Sequence, residues 1–115
     1  MDVPIDVIDV TITGAKPSGY NQIVRAQVFG SKPPEGKPDP PKKMGFRHYD
    51  VFVEGFLGGT ATIRITNDLV TGTHMMHYLD GTEWIPARNL NVKGKTIHGE
   101  IDVSKLHWTP IVIGT

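Results

Sequence analysis

The chain has 115 residues, the size of one domain with a single hydrophobic core. Its 12 lysines and arginines balance 12 aspartates and glutamates, so no net positive field is available to attract nucleic acid or an anionic membrane surface. The absence of cysteine excludes disulfides, thiolate nucleophiles and cysteine-ligated zinc.

The first two predicted elements are β-strands. The opening sequence MDVPIDVIDV has no continuous apolar run, so it predicts neither a signal peptide nor a transmembrane segment. With 13 glycines and 9 prolines, few stretches of the sequence are long enough without a break to form an amphipathic helix.

Residues 3–13 alternate as a strand, but the apolar phase slips by one position after Val7, which predicts a β-bulge or a change of sheet. Residues 20–29 form the second predicted strand, with Val24, Ala26 and Val28 on one face.

A proline-rich segment, residues 30–45, follows the second strand. Proline has no amide donor and keeps the preceding residue extended. The segment is therefore predicted to be an ordered crossover loop between sheets. A proline-motif ligand for an aromatic groove is the alternative.

Further strands are predicted at residues 46–54, 60–66, 73–79, 82–88 and 110–113, with a strand pair around a turn at Gly94. Asp80 and Gly81 are predicted to form a two-residue hairpin turn, because aspartate before glycine tolerates left-handed geometry. Ser104 is predicted to cap a single helical turn. About eight short strands predict an all-β fold, an antiparallel immunoglobulin-like β-sandwich, with residues 1–115 as one domain.

Two histidines bracket two methionines in the sequence THMMHYLDGTEWIP. On a strand, His74 and His77 face opposite sides and cannot chelate a metal together. A composite metal site of His77 with His48 or His98 from a neighbouring strand stays open as a weak candidate. By the same alternation, one of Met75 and Met76 is expected in the core and the other on an outer face.

The carboxylates and serines show no catalytic constellation. They are scattered singly at strand ends and turns, without the paired carboxylates or nucleophile motifs that hydrolysis needs. The sequence therefore predicts that the chain is not an enzyme and carries no cofactor, and a small metal-binding protein or hydrolase is the least favoured alternative.

Aromatic residues support a second alternative. Tyr78, Trp84 and Trp108 could form a stacking surface for sugars. The competing interpretation places Trp84 in a cross-strand pair on the side of Met76 and Tyr78, and Trp108 as a plug at the end of the core.

The order of these features resembles the β-sandwich modules that precede membrane or wall anchors in archaeal and bacterial cell-surface proteins. An aromatic strand leads through glycines into a threonine-rich strand, followed by a tyrosine strand, an Asp-Gly turn, a tryptophan strand and a strand pair around glycine. The positions that carry the resemblance are Tyr49, Asp50, Phe52, Gly55, Gly59, Thr60, Thr62, Tyr78, Asp80, Gly81, Trp84, Val92 and Gly94. The glycine- and aspartate-rich tail of such modules is replaced here by DVSKLHWTPIVIGT.

The resemblance implies a non-catalytic structural or adhesive module, extracellular or at the cell surface as part of a longer protein. Its expected partners are a protein or a surface glycan, with no nucleic acid and no direct membrane insertion. A carbohydrate-binding module is the first alternative. The resemblance assigns no catalytic residue.

Overall fold

The computed structural model describes residues 6–19, 21–30, 47–68 and 70–114. Within these ranges the chain is all-β and its strands pair antiparallel, which confirms the predicted class; the one helical element is a 3₁₀ turn at Val103–Lys105. The strands are β1 (Asp6–Thr13), β2 (Lys16–Pro17), β3 (Ile23–Gly30), β4 (Arg47–Glu54), β5 (Phe56–Leu57), β6 (Thr60–Asn67), β7 (Met75–Asp80), β8 (Glu83–Pro86), β9 (Arg88–Lys93), β10 (Thr96–Asp102) and β11 (Thr109–Gly114).

The strands form two main sheets and one small one. The four-stranded sheet has the order β1-β6-β10-β9, and the five-stranded sheet has the order β3-β4-β11-β7-β8. Strands β2 and β5 form a separate two-stranded pair. Distant parts of the sequence therefore become neighbours, since the last strand, β11, lies between β4 and β7.

One hydrophobic core cluster draws buried side chains from both main sheets. In β6, Ala61, Ile63 and Ile65 are fully buried and alternate with polar residues, which is the pattern of a strand with one face towards the core and the other towards solvent. Tyr49 and Ile111, paired across β4 and β11, belong to the same cluster. Both main sheets therefore contribute to one core.

The central strands of the five-stranded sheet are buried on their second face as well. His48 and Val112 are register partners on the side away from the core, with exposures of 1% and 0%. Asp50, two residues along β4 on that side, is 7% exposed. Polar residues at these positions are consequently removed from water, unlike Arg64 on the outer face of β6, which is exposed.

The β7–β8 hairpin turns one residue later than predicted. Asp80 is the last residue of β7 and pairs with Glu83, so the loop consists of Gly81 and Thr82. Gly81 has a φ of 64°. A positive φ at the first loop position is the pattern of a type II′ hairpin turn, which accepts glycine there.

The predicted turn at Gly94 is confirmed. Lys93 pairs with Thr96, and Gly94, with a φ of 62°, is the first residue of the two-residue loop. Both hairpins thus use a left-handed glycine in the same place.

Two local predictions are wrong. Residues 6–13 pair with β6 without any register shift, so the slip after Val7 is no bulge; Val7 is simply 55% exposed. Ser104 lies inside the 3₁₀ turn rather than capping it, and Asp102 holds the N-cap position. The predicted strand residues 3–5 and the proline-rich segment after Gly30 lie outside the described residues. In the described ranges, no helix is long and apolar enough to cross a membrane.

Candidate functional site

The methionine pair follows strand alternation as predicted. Met76 is fully buried in the core cluster and Met75 is 41% exposed. His77, next along β7, therefore lies on the face of Met75, away from the core. His74 precedes the strand and accepts a hydrogen bond at Nδ1 from the Thr71 amide at 3.1 Å. The two histidines thus belong to different local structures.

The weak metal candidates divide between the two sheets. His48 and His77 flank Val112 on the outer face of the five-stranded sheet. His98 lies in β10 of the four-stranded sheet, between the buried Ile97 and its neighbour Gly99, and faces away from the core. His98 therefore cannot complete a site with the other two histidines. No group of three or more histidine, aspartate or glutamate side chains in the described part of the chain is placed to hold a metal ion.

Burial affects the titration of His77 and His74. Desolvation lowers the pKa of His77 below the ordinary histidine value, and it lowers the pKa of His74 in the same direction. His48 makes an edge contact with Trp84, with ring centroids 6.3 Å apart and an interplanar angle of 65°. On this face of the sheet, burial therefore favours the neutral form of His77.

The predicted aromatic surface of Tyr78, Trp84 and Trp108 is not formed. Tyr78 packs against the core and pairs with Ile85, whereas Trp84 pairs with Leu79 and lies on the other face of the hairpin. The interpretation that Trp84 shares the side of Met76 and Tyr78 is therefore wrong. Trp108 lies by β4, about 14 Å of sheet away from β8 at the usual strand spacing.

Trp108 instead forms an aromatic cluster with Phe52 and His107. Its indole stacks on Phe52 with ring centroids 5.2 Å apart and an interplanar angle of 25°. His107 contacts Phe52 edge-on at 5.8 Å and 77°. Trp108 is 38% exposed and does not belong to the core cluster, so the interpretation of Trp108 as a core plug is also wrong.

The backbone around Trp108 is held in an unusual conformation. Trp108 has a φ of 50°, in the left-handed region that bulky residues rarely adopt. On either side the loop is anchored: Leu106 is fully buried and its carbonyl accepts from the Val53 amide at 2.8 Å. The Thr109 hydroxyl donates to the Lys105 carbonyl and accepts from the His107 amide at 3.1 Å. These bonds fix the position of the exposed indole.

A polar groove of about 390 Å³ lies beside the aromatic cluster. Its lining includes Trp108, Ser104, and the ion pair between Lys105 and Asp80, whose Nζ and Oδ2 atoms are 3.2 Å apart. The bond to Asp80 raises the pKa of Lys105. Asp80 was predicted as a turn residue; its carboxylate also ties the β7–β8 hairpin to the 3₁₀ turn.

A second, more apolar groove of about 310 Å³ shares Ser104 and His107 with the first and continues to Phe56 and Leu57. The two grooves thus border the 3₁₀ turn and the His107 loop. Together with the aromatic cluster they bring aromatic, charged and hydroxyl side chains to one part of the surface. We take this grouping as the candidate functional site.

Phe52 and His107 were not predicted as site residues. In the sequence RHYDVFVE, alternation buries Tyr49, Val51 and Val53 and leaves Phe52 on the outer face among polar residues. A lone aromatic at an outward position is the signal that could have identified it. Comparison of the chain with protein-family models, with curated proteins and with solved structures gave no match.

Proposed function

We propose that this chain is a non-catalytic structural or interaction module of a cell-surface protein, folded as an immunoglobulin-like β-sandwich. Two antiparallel sheets that contribute to one core support the sandwich interpretation. Such a frame is rigid and presents loops at its ends, where binding residues are usually found.

The observation that carries the interaction role is the conformation of Trp108. A large aromatic residue is held at positive φ, exposed, and stacked on Phe52 by a loop that is fixed through Leu106 and Thr109. Left-handed backbone at a bulky residue costs roughly 1–3 kcal/mol and is concentrated at functional sites. Aromatic side chains of this kind are also enriched where proteins contact partners.

The cell-surface part of the proposal is tested by protease accessibility on intact cells of the organism that encodes the chain. An antibody against the chain should lose its signal when proteinase K is added outside the cells, while a cytoplasmic marker is retained. Protection of the chain until the cells are lysed would contradict a surface location.

Carbohydrate is the second candidate, as the ligand class of the same module. The apolar C–H face of a sugar ring can stack on the exposed indole of Trp108. Asp80, Ser104 and Lys105 supply acceptors and donors for hydroxyl groups within the same groove. The platform is thus Trp108 on Phe52, and not the predicted set that included Tyr78 and Trp84.

A glycan array probed with the labelled chain tests this candidate. Any glycan retained by the wild type should be lost in Trp108→Ala and partly kept in Trp108→Phe, because a phenyl ring preserves stacking. Met75→Ala removes an exposed apolar side chain elsewhere and is the matched control. Equal retention by Trp108→Ala, or no retained glycan, would count against a carbohydrate ligand.

A further inference from the structure

Strand β3 lies at one edge of the five-stranded sheet, and most of its residues are exposed to solvent. It pairs with β4 on one side, and no other strand in the described part of the chain pairs with its outer edge. Every residue from Val24 to Phe29 is exposed. Among them Val24, Val28 and Phe29 are 42%, 43% and 43% exposed. Exposed apolar side chains on an unpaired edge are a template for pairing with another strand.

The exposed valines continue the inward face of the five-stranded sheet. Val24 pairs with Val53 of β4, and Val28 pairs with Tyr49. Both β4 partners are buried in the core cluster, with exposures of 2% and 0%. The apolar side chains on the core-facing side of the sheet therefore continue from β4 onto β3, where they are exposed to solvent.

We propose that β3 pairs antiparallel with β3 of a second copy of this chain, about a two-fold axis at Ala26. In this register Val24 faces Val28 of the partner subunit, and Arg25 faces Gln27 of the partner subunit. The segment VRAQV is self-complementary, since both valine pairs are apolar and no arginine faces another arginine. The contact is isologous and closes with two copies.

The local structure limits this pairing to a short stretch. A register shift between Val28 and Gly30 marks a bulge at Phe29, which turns the edge away beyond the valines. The opposite edge of the same sheet, β8, has four residues and ends in Pro86, which cannot donate to a ladder. Growth into longer assemblies is therefore disfavoured at both edges.

The dimer is expected to be weak, because one short strand from each copy forms a small interface of the transient kind. Sedimentation equilibrium of the wild-type chain should show a monomer–dimer equilibrium with a Kd of roughly 10 µM to 1 mM. A chain that is purely monomeric at about 1 mM would overturn the proposal.

Two double variants test the register. Val24→Lys with Val28→Lys places like charges opposite each other at both pairs, whereas Val24→Lys with Val28→Glu places opposite charges there. The second variant should dimerise at least about tenfold more tightly than the first, since opposed like charges destabilise strand pairs and opposite charges stabilise them. Equal association of the two would overturn the proposal.

A net-charge control and a crosslink complete the test. Val7→Lys with Leu57→Lys adds the same two charges at positions 55% and 59% exposed and should keep the wild-type Kd. The chain has no cysteine, so Ala26→Cys gives one thiol per copy. Oxidation should link two copies by a disulfide through this position, where the two residues face each other, and should link Gln27→Cys much less, because the two copies of residue 27 are diagonal neighbours about 7–8 Å apart. Equal linking at both positions would overturn the proposed axis.

Discussion

Replacement of Met76 by alanine, beside replacement of Met75, tests the register of β7 at single-residue resolution. Met76 is fully buried in the core cluster and Met75 is 41% exposed on the adjacent position. The two substitutions are chemically identical and differ only in the face that they affect. A one-residue slip of the strand would exchange their environments.

The expected difference is large. Met76→Ala removes Cγ, Sδ and Cε from a site without solvent contact, and substitutions of this kind typically cost about 2–5 kcal/mol through lost transfer energy and a residual cavity. For a domain of this size that corresponds to a decrease in Tm of roughly 10 °C or more. Met75→Ala should stay within about 0.5 kcal/mol of the wild type, as for ordinary surface substitutions.

Urea unfolding followed by far-ultraviolet circular dichroism gives both free energies of unfolding. The m-values should be unchanged, so that the midpoints report stability directly. Equal losses in the two variants, or a larger loss in Met75→Ala, would refute the assignment of faces in β7.

Three further predictions concern turns, packing and pH. Gly81→Val should cost about 1 kcal/mol or more in urea unfolding, because Gly81 has positive φ, whereas Gly72→Val, in open space without positive φ, should be near neutral; equal effects would show that backbone strain is not the cause. Gly99→Ala should cost about 1–3 kcal/mol by overpacking, since its Cβ would lie 2.8 Å from the Cβ of Ala87; a neutral result would contradict this close contact. Because burial lowers the pKa of His77 below 6.5, the unfolded chain binds more protons in acid, so stability should be complete above about pH 6.5 and decrease as the pH falls through that value. Between about pH 8 and pH 5, the urea midpoint should decrease less in His77→Gln than in the wild type. An identical decrease in the two proteins would exclude His77 as a source of the pH dependence.

The sequence was most informative where structure is decided by neighbouring residues. The turn at Gly94 and the alternation of Met75 and Met76 depend on local backbone geometry, and both were predicted correctly. The Asp-Gly turn was predicted in the right place but one residue early. That single shift moves every cross-strand partner by two positions, so Trp84 pairs with Leu79 instead of His77. Both partners lie on the same face of β7, so the turn position alone already places Trp84 on the face opposite to Tyr78.

The candidate site depends on contacts that are distant in sequence. Phe52 and Trp108 are more than fifty residues apart and meet because β11 lies beside β4. The left-handed φ of Trp108 has no signature in the sequence HWTP, since it is imposed by the bonds of Thr109 and the burial of Leu106. In the same way, β1 residues with a slipped apolar phase keep a regular register because β6 pairs with them throughout.

Trp108 is proposed as the contact residue of a cell-surface interaction module. Co-sedimentation of the purified chain with isolated cell envelopes of the organism that encodes it tests this most directly, with wild type, Trp108→Ala and Met75→Ala measured together. The wild type and Met75→Ala should be retained on the envelopes, and Trp108→Ala should bind at least about tenfold more weakly, as for the loss of a central aromatic contact. Equal retention of all three proteins, or no retention of the wild type, would contradict this role of Trp108.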